Sequence, residues 1–282
     1  MEQLTVNQKN IWGMSADSAL KKAVTSWVSI VLVGQWAFAV YILSLYAIPL
    51  LIGAVHQADE ISPARGFDTS AGFDSIMFFS HILPAAIMAS SGLLQIIPKI
   101  RKTYPQFHRW NGRVFFALGL SGAVTGLYLT WGAGIRFSDI GALGVTLNGV
   151  LILVAIFFAW KTAVKKQFVQ HQRWAVHAFI LVNGVWTFRL FLMGWYLVNQ
   201  GQNGNNNNLD GPMDLTISFA CYLLPMLFAE LIFWAKRSKT ENVKWLAAMT
   251  TSFAAVTTLI GVIAAAMMMW GPRLSMVFST IF

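Results

Sequence analysis

Seven stretches of this chain are apolar over about the length a helix needs to cross a bilayer, roughly 20 residues. They cover 26–54, 74–98, 113–133, 141–161, 174–198, 214–235 and 244–270, and short polar connectors separate them. Lipid offers no partners to backbone groups, so only helices and closed barrels can span it. Barrel strands alternate apolar and polar positions over about ten residues, whereas the stretch 150–160 is apolar all round. The fold class that follows is all-α: a polytopic membrane bundle of about seven helices. Composition agrees, since 56% of the 282 residues are hydrophobic and 11% are charged, against about 25% charged in a soluble domain. A mean hydropathy of +0.59 excludes a soluble enzyme and a disordered chain. The single cysteine, Cys221, excludes a disulfide scaffold. The first apolar run follows a polar tail and is too long for a cleavable signal. The expected division is a tail over 1–25, a membrane domain over 26–270 and a short tail over 271–282.

The charges give an orientation. Lys9, Lys21 and Lys22 precede the first run; Lys99, Arg101, Lys102, Arg109 and Arg113 lie between the second and third. Lys161, Lys165, Lys166 and Arg173 lie between the fourth and fifth, and Lys236, Arg237, Lys239 and Lys244 between the sixth and seventh. Sixteen of the 20 basic residues thus share one side, while Arg65, Arg136 and Arg273 stand on the other with Asp59, Glu60, Asp68, Asp139, Asp210 and Asp214. By the positive-inside rule the N-terminus is cytoplasmic and the C-terminus outside, as in a bacterial inner membrane. The net charge of +9 is then topogenic: its partners are the bilayer and its anionic headgroups, not nucleic acid. The outer segment 201–212, with its run Asn205–Asn208, reads as a polar connector with little to pack.

Two short segments resemble each other. Gln106-Phe-His108-Arg-Trp110 precedes the third run and Gln167-Phe-Val-Gln-His171-Gln-Arg-Trp174 the fifth. Each joins an inbound helix to an outbound one, so the region 74–198 reads as a hairpin and its copy, with chance similarity as the alternative. At 100° per residue, His108, Gly112, Phe115, Gly119, Gly122 and Gly126 fall on one line. The line through His171 continues through Ala178, Val182, Val185 and Arg189, and His81, Ala85, Met88, Gly92 and Gln95 share a face. A glycine stripe admits another helix or a flat ligand, and the first is the commoner use. Trp110 and Trp174 suit interfacial anchoring, and His108 and His171 with Arg109, Arg113, Lys165 and Arg173 suit lipid phosphate. Two residues resist such readings. Arg189 lies well inside the fifth run and His81 at comparable depth in the second, where a charge is expensive unless paired or wetted. Asp74 and Asp214 stand at the ends of their helices as conceivable partners, and Glu230 reads as the partner of an inner histidine or, more readily, as a side chain reaching for the cytoplasmic edge.

The segments Tyr104-Pro-Gln-Phe-His-Arg-Trp-Asn-Gly-Arg113 and His171-Gln-Arg-Trp174 resemble a family of uncharacterised bacterial membrane proteins with an HRxxGR motif followed, two helices later, by an HRxW-type motif. The resemblance covers roughly 75–195; Gln172 stands where that family usually has a basic residue and His177 where it has arginine. The family has no established activity, so the resemblance implies architecture alone. A looser similarity of plan is to four-helix b-type cytochromes of the b561 and ferric-reductase kind, which implies histidines clamping haem near a membrane face. Here His108 with His171 or His177 would be the axial pair, the metal ligands being His108 and His171. Gly112 and Gly119 would admit the macrocycle, and Arg109, Arg113 or Arg189 would hold its propionates. Three functions remain in view: electron transfer through one inner haem b, with a quinone near His81 and Arg189 and a membrane redox partner; transport or binding of a lipid or small molecule at Arg189; and an accessory subunit of a larger complex. No GxSxG, HExxH, P-loop or dinucleotide motif stands in a matching context.

Overall fold

A computed structural model describes residues 14–62 and 72–281; Lys9, Arg65 and Asp68, used above for orientation, lie outside them. Every regular element among the described residues is helical. In chain order they are α1 (Ala16–Ile52), α2 (Val55–Ile61), α3 (Phe73–Ile96), α4 (Pro98–Thr103), α5 (Pro105–Trp131), α6 (Asp139–Val164), α7 (Phe168–Val182), α8 (Gly184–Asn199), α9 (Pro212–Arg237) and α10 (Glu241–Thr280). Six of these are individually long and apolar enough to span a membrane, and α7 with α8, bent by 55° at their junction, form a seventh.

Helix starts follow capping chemistry. Ser138 accepts a hydrogen bond from Gly141 N (3.1 Å) ahead of α6, and Pro105 and Pro212 stand at first-turn positions that need no N–H. Gly53, at φ +77, closes α1 in the left-handed conformation. Two helices carry a widened π turn, at Leu43–Ala47 and at Ala266–Trp270. Pro49 and Pro272 follow these turns, and a proline ring displaces the carbonyl four residues before it. The helices also run further than expected: α1 begins at Ala16 inside the expected tail, and α10 continues past 270. The HRxxGR segment forms the first turns of α5.

Packing places α1, α3, α5, α6, α9 and α10 in a ring, each against the next, with α10 closing on α1. The broken fifth span stands inside. Its first half packs on α6 and α9 and its second on α9 and α10. Phe179 of α7 stacks on Phe115 of α5 at 6.0 Å and also lies against Gly92 of α3, while Trp186 of α8 lies against Gly34 of α1. The basic helix ends gather at one end of the ring, the basic end. There Lys244 Nζ reaches Asp17 Oδ2 at 2.7 Å, tying α10 to α1, and Arg173 ties α7 to α9 through Glu230.

The break has a local cause. Asn183 turns its side chain back, Nδ2 donating to Phe179 O (2.8 Å), so it competes with the helix for its own backbone partners. Side-chain amides from two ring helices meet the groups this frees. Asn148 Nδ2 of α6 donates to Leu181 O (3.1 Å), and Gln35 Nε2 of α1 donates to Asn183 Oδ1 (2.8 Å). Gly184 is required for closeness, since a Cβ there would fall 2.7 Å from Asn148 Nδ2. Irregular backbone at this depth survives because protein amides satisfy it. The line expected from His171 to Arg189 along one straight helix therefore does not exist: the bend at Asn183 separates them.

Candidate functional site

The basic end brings His108, His171 and His177 to neighbouring helices. His108 opens α5 and His171 opens α7, and the His171 ring lies 6.5 Å from the Phe116 ring of α5. His171 Nδ1 donates to Ala159 O of α6 at 2.9 Å; the acceptor is a carbonyl, so Nδ1 carries the proton and the lone pair is on Nε2. His108 Nδ1 is buried without a hydrogen bond, as is Gln95 Nε2 of α3. His177 is committed elsewhere: its Nε2 donates to Glu230 Oε1 at 2.5 Å. Glu230 also takes both Arg173 Nε on Oε1 (2.6 Å) and Arg173 Nη2 on Oε2 (2.6 Å), a fork-to-fork ion pair. Of the two readings of Glu230 the pairing with an inner histidine holds and the side chain reaching for the edge does not; the residue is the bridge between α7 and α9.

Arg109 and Arg113 do not join the histidines. With Gln106 and Trp110 they line an open groove of about 310 Å³ on the outer face of α5, and Arg113 lies over the Trp110 ring at 4.9 Å. The glycine stripe is occupied at Gly119 and Gly126 and open at Gly122. A Cβ at Gly119 would meet Ile156 and Val182 side chains at 2.9 and 3.1 Å, and one at Gly126 would meet the His81 ring at 3.0 Å. Gly112 alone on the histidine side faces a flexible neighbour, Gln95, at 3.4 Å. The donor set of His108 and His171 suits an iron porphyrin, since a backbone acceptor on Nδ1 orients the ring for ligation through Nε2. Deeper on the stripe the space at Gly119 and Gly126 is filled by side chains, so the room for a macrocycle beside the histidines is at Gly112, with Gly122 open further along. No group of three or more His, Cys, Asp or Glu among the described residues could hold a metal ion.

The other half of the bundle holds His81 and Arg189. His81 Nδ1 donates to Gly122 O (3.0 Å) and to Thr125 Oγ1 (3.1 Å), fastening α3 to α5 over the Gly126 seat. Arg189 donates from Nη1 to Val185 O one turn back (3.1 Å) and lies over the Phe38 ring of α1 at 5.7 Å. Neither expected acid is its partner. Asp74 accepts the Tyr128 hydroxyl at 2.8 Å. Asp214, 0% exposed, accepts Asn205 Nδ2 (2.6 Å), Asn206 N (2.9 Å) and Gly211 N (3.2 Å). Among the described residues Arg189 makes no ion pair. Although α8 is central, Val185 is 41% exposed, so the packing is open at the level of the guanidinium.

Those Asp214 contacts also correct the reading of the asparagine run. The segment is folded around a buried carboxylate, with Asn206 Nδ2 donating in addition to Asp210 Oδ1 (2.6 Å). The signal was the aspartate two residues into a proline-started helix, where a carboxylate faces free N–H groups.

The family described as predicted membrane protein (DUF2306) matches residues 78–233, more than half of the chain, and the protein belongs to that family. No curated protein and no solved structure matches it. The matched region runs from α3 into α9, so it contains the break, the four histidines discussed here and Arg189, and excludes α1 and α10.

Proposed function

We propose that this DUF2306 protein is a bacterial inner-membrane protein that binds a lipid-soluble small molecule at Arg189, beside the break in its central span, with the basic end in the cytoplasm. The observation that carries this reading is an intramembrane guanidinium that donates to a carbonyl of its own helix, lies over an aromatic ring and has no carboxylate partner among the described residues. Such a charge costs several kcal/mol in a bilayer unless something solvates or neutralises it. Broken membrane helices with polar amides at the break recur where a ligand enters at mid-depth. Here Gln35, Asn148 and Asn183 supply the amides, and exposed Val185 supplies the access.

A second reading is haem-linked electron transfer at the basic end, with His108 and His171 as the axial ligands. The hydrogen bond from His171 Nδ1 to Ala159 O favours it, because it fixes the tautomer that leaves Nε2 free. When bound, haem would supply one-electron chemistry; His171 and His108 would hold it. Extraction of small molecules from purified wild type, Arg189→Gln and a His108→Ala, His171→Ala double variant separates the readings. Ligand binding at Arg189 predicts a compound retained by wild type and the double variant and lost from Arg189→Gln. A reducible Soret band lost only in the double variant would instead establish the second reading, and a compound retained equally by all three would overturn the first.

A further inference from the structure

Around Arg189 the polar groups without partners are hydrogen-bond donors. Trp270 Nε1 of α10 and Trp186 Nε1 of α8 have no hydrogen bond, although these residues are only 2% and 5% exposed, and Tyr41 of α1 is buried beside them. They belong to one connected group. Arg189 lies over Phe38, Phe38 contacts Trp270 at 5.8 Å and Tyr41 at 6.1 Å, and Tyr41 contacts Trp270 at 6.4 Å between ring centres. Trp186 stands one helical turn before Arg189. Arg273, one turn beyond Trp270, spends one nitrogen on Met269 O (3.1 Å). Arg273, too, makes no ion pair among the described residues.

An indole N–H can only donate, a guanidinium can only donate, and a buried donor left unpaired is costly. Two positive charges and a set of buried donors, inside a wall of aromatic rings, call for one kind of visitor. Both π turns adjoin the cluster: Tyr41 lies just before the one in α1 and Trp270 ends the one in α10, and such turns gather at functional positions.

We propose that the molecule bound at Arg189 carries a single anionic oxygen head, carboxylate or phosphate, on an apolar body, and that Trp270, Tyr41 and Arg273 complete the head's binding site. The inference rests on the reading of Arg189 given above and extends it to residues outside the region matched by the family. A carboxylate would take a guanidinium fork with two parallel bonds and draw further hydrogen bonds from the indole and phenol, while its chain would lie in the bilayer through the opening at Val185.

The test is displacement of a fluorescent fatty acid, cis-parinaric acid, from protein in neutral phosphatidylcholine nanodiscs. Oleate is expected to displace it saturably. Oleyl alcohol, with the same chain and no charge, is expected to bind at least about tenfold more weakly, the scale of one charge-assisted hydrogen bond. Oleoyl phosphate against oleate tells the two anionic heads apart. Trp270→Phe and Tyr41→Phe, which keep the rings, should each weaken oleate by about tenfold, and Arg189→Lys should bind better than Arg189→Gln. Equal displacement by oleate and oleyl alcohol would overturn the anionic head, as would unchanged oleate affinity in Trp270→Phe, Tyr41→Phe and Arg273→Gln together. Displacement by a neutral quinone alone, lost in Arg189→Gln, would overturn this inference and leave the Arg189 site standing. Failure of every probe, with no compound co-purifying with wild type, would remove both.

Discussion

At the scale of single residues, the histidines divide into three jobs by the partner each nitrogen meets. His81 fastens α3 to α5, His177 answers Glu230, and His171 holds one nitrogen on a carbonyl with the other uncommitted. Residue type and helical angle made all of them visible in the sequence, but their partners lie on other helices, and no local pattern names those. Arg189 was conspicuous because a charge is expensive at that depth. Its aromatic seat was not, because Phe38, Tyr41 and Trp270 look like any apolar span residues until α1 and α10 are brought together. Asp214 is the clearest case of a residue whose role came from folding. Its carboxylate holds two backbone N–H groups and one side-chain amide of the segment before α9. Asp214→Ala is expected to destabilise the protein by roughly 3 kcal/mol, since it leaves buried donors unmet. It should also open the segment 201–212 to protease. A melting midpoint equal to wild type, with that segment still resistant, would contradict this account of the loop.

Among the elements, the spans were legible because apolar length is enough to recognise them. The fifth span's break was not. The apolar pattern runs straight through 174–198, and the usual signal, an internal proline, stands instead in α3 and α9, as Pro84 and Pro225, without dividing either helix there. Asn183 and Gly184 do the work, and only the amides of Gln35 and Asn148 make their geometry affordable in lipid. Asn183→Leu removes the competing side chain and the Gln35 contact, and a continuous helix becomes the better solution. Spin labels at positions 169 and 198, both exposed in the protein, should then move apart by about 5 Å, from the rise per residue and the 55° bend. An unchanged distance would show that packing, not Asn183, holds the bend. The hairpin likeness of 74–198 also reads differently at this scale. Both outbound helices begin with a histidine in the first turn, yet one is continuous over Pro105–Trp131 and the other breaks after Val182.

For the whole molecule, six helices surround a seventh that is bent, polar at its bend and charged beyond it. The basic helix ends gather at one end of the bundle, where Lys244 pairs with Asp17 and Arg173 with Glu230, and the orientation proposed above, from the positive-inside rule, puts that end in the cytoplasm. Cysteines placed at Lys239 and at Asn207 test this directly, because native Cys221 is buried and silent. In intact spheroplasts a membrane-impermeant maleimide should label position 207 and leave 239 unlabelled until the membrane is opened. The reverse pattern would invert the orientation. The central claim is that the interior arginine is there to meet a ligand. Native mass spectrometry of the protein released from its own membranes tests it most directly. A small-molecule adduct is predicted on wild type and Arg189→Lys and missing from Arg189→Gln, whereas identical spectra for all three, with or without an adduct, would contradict it.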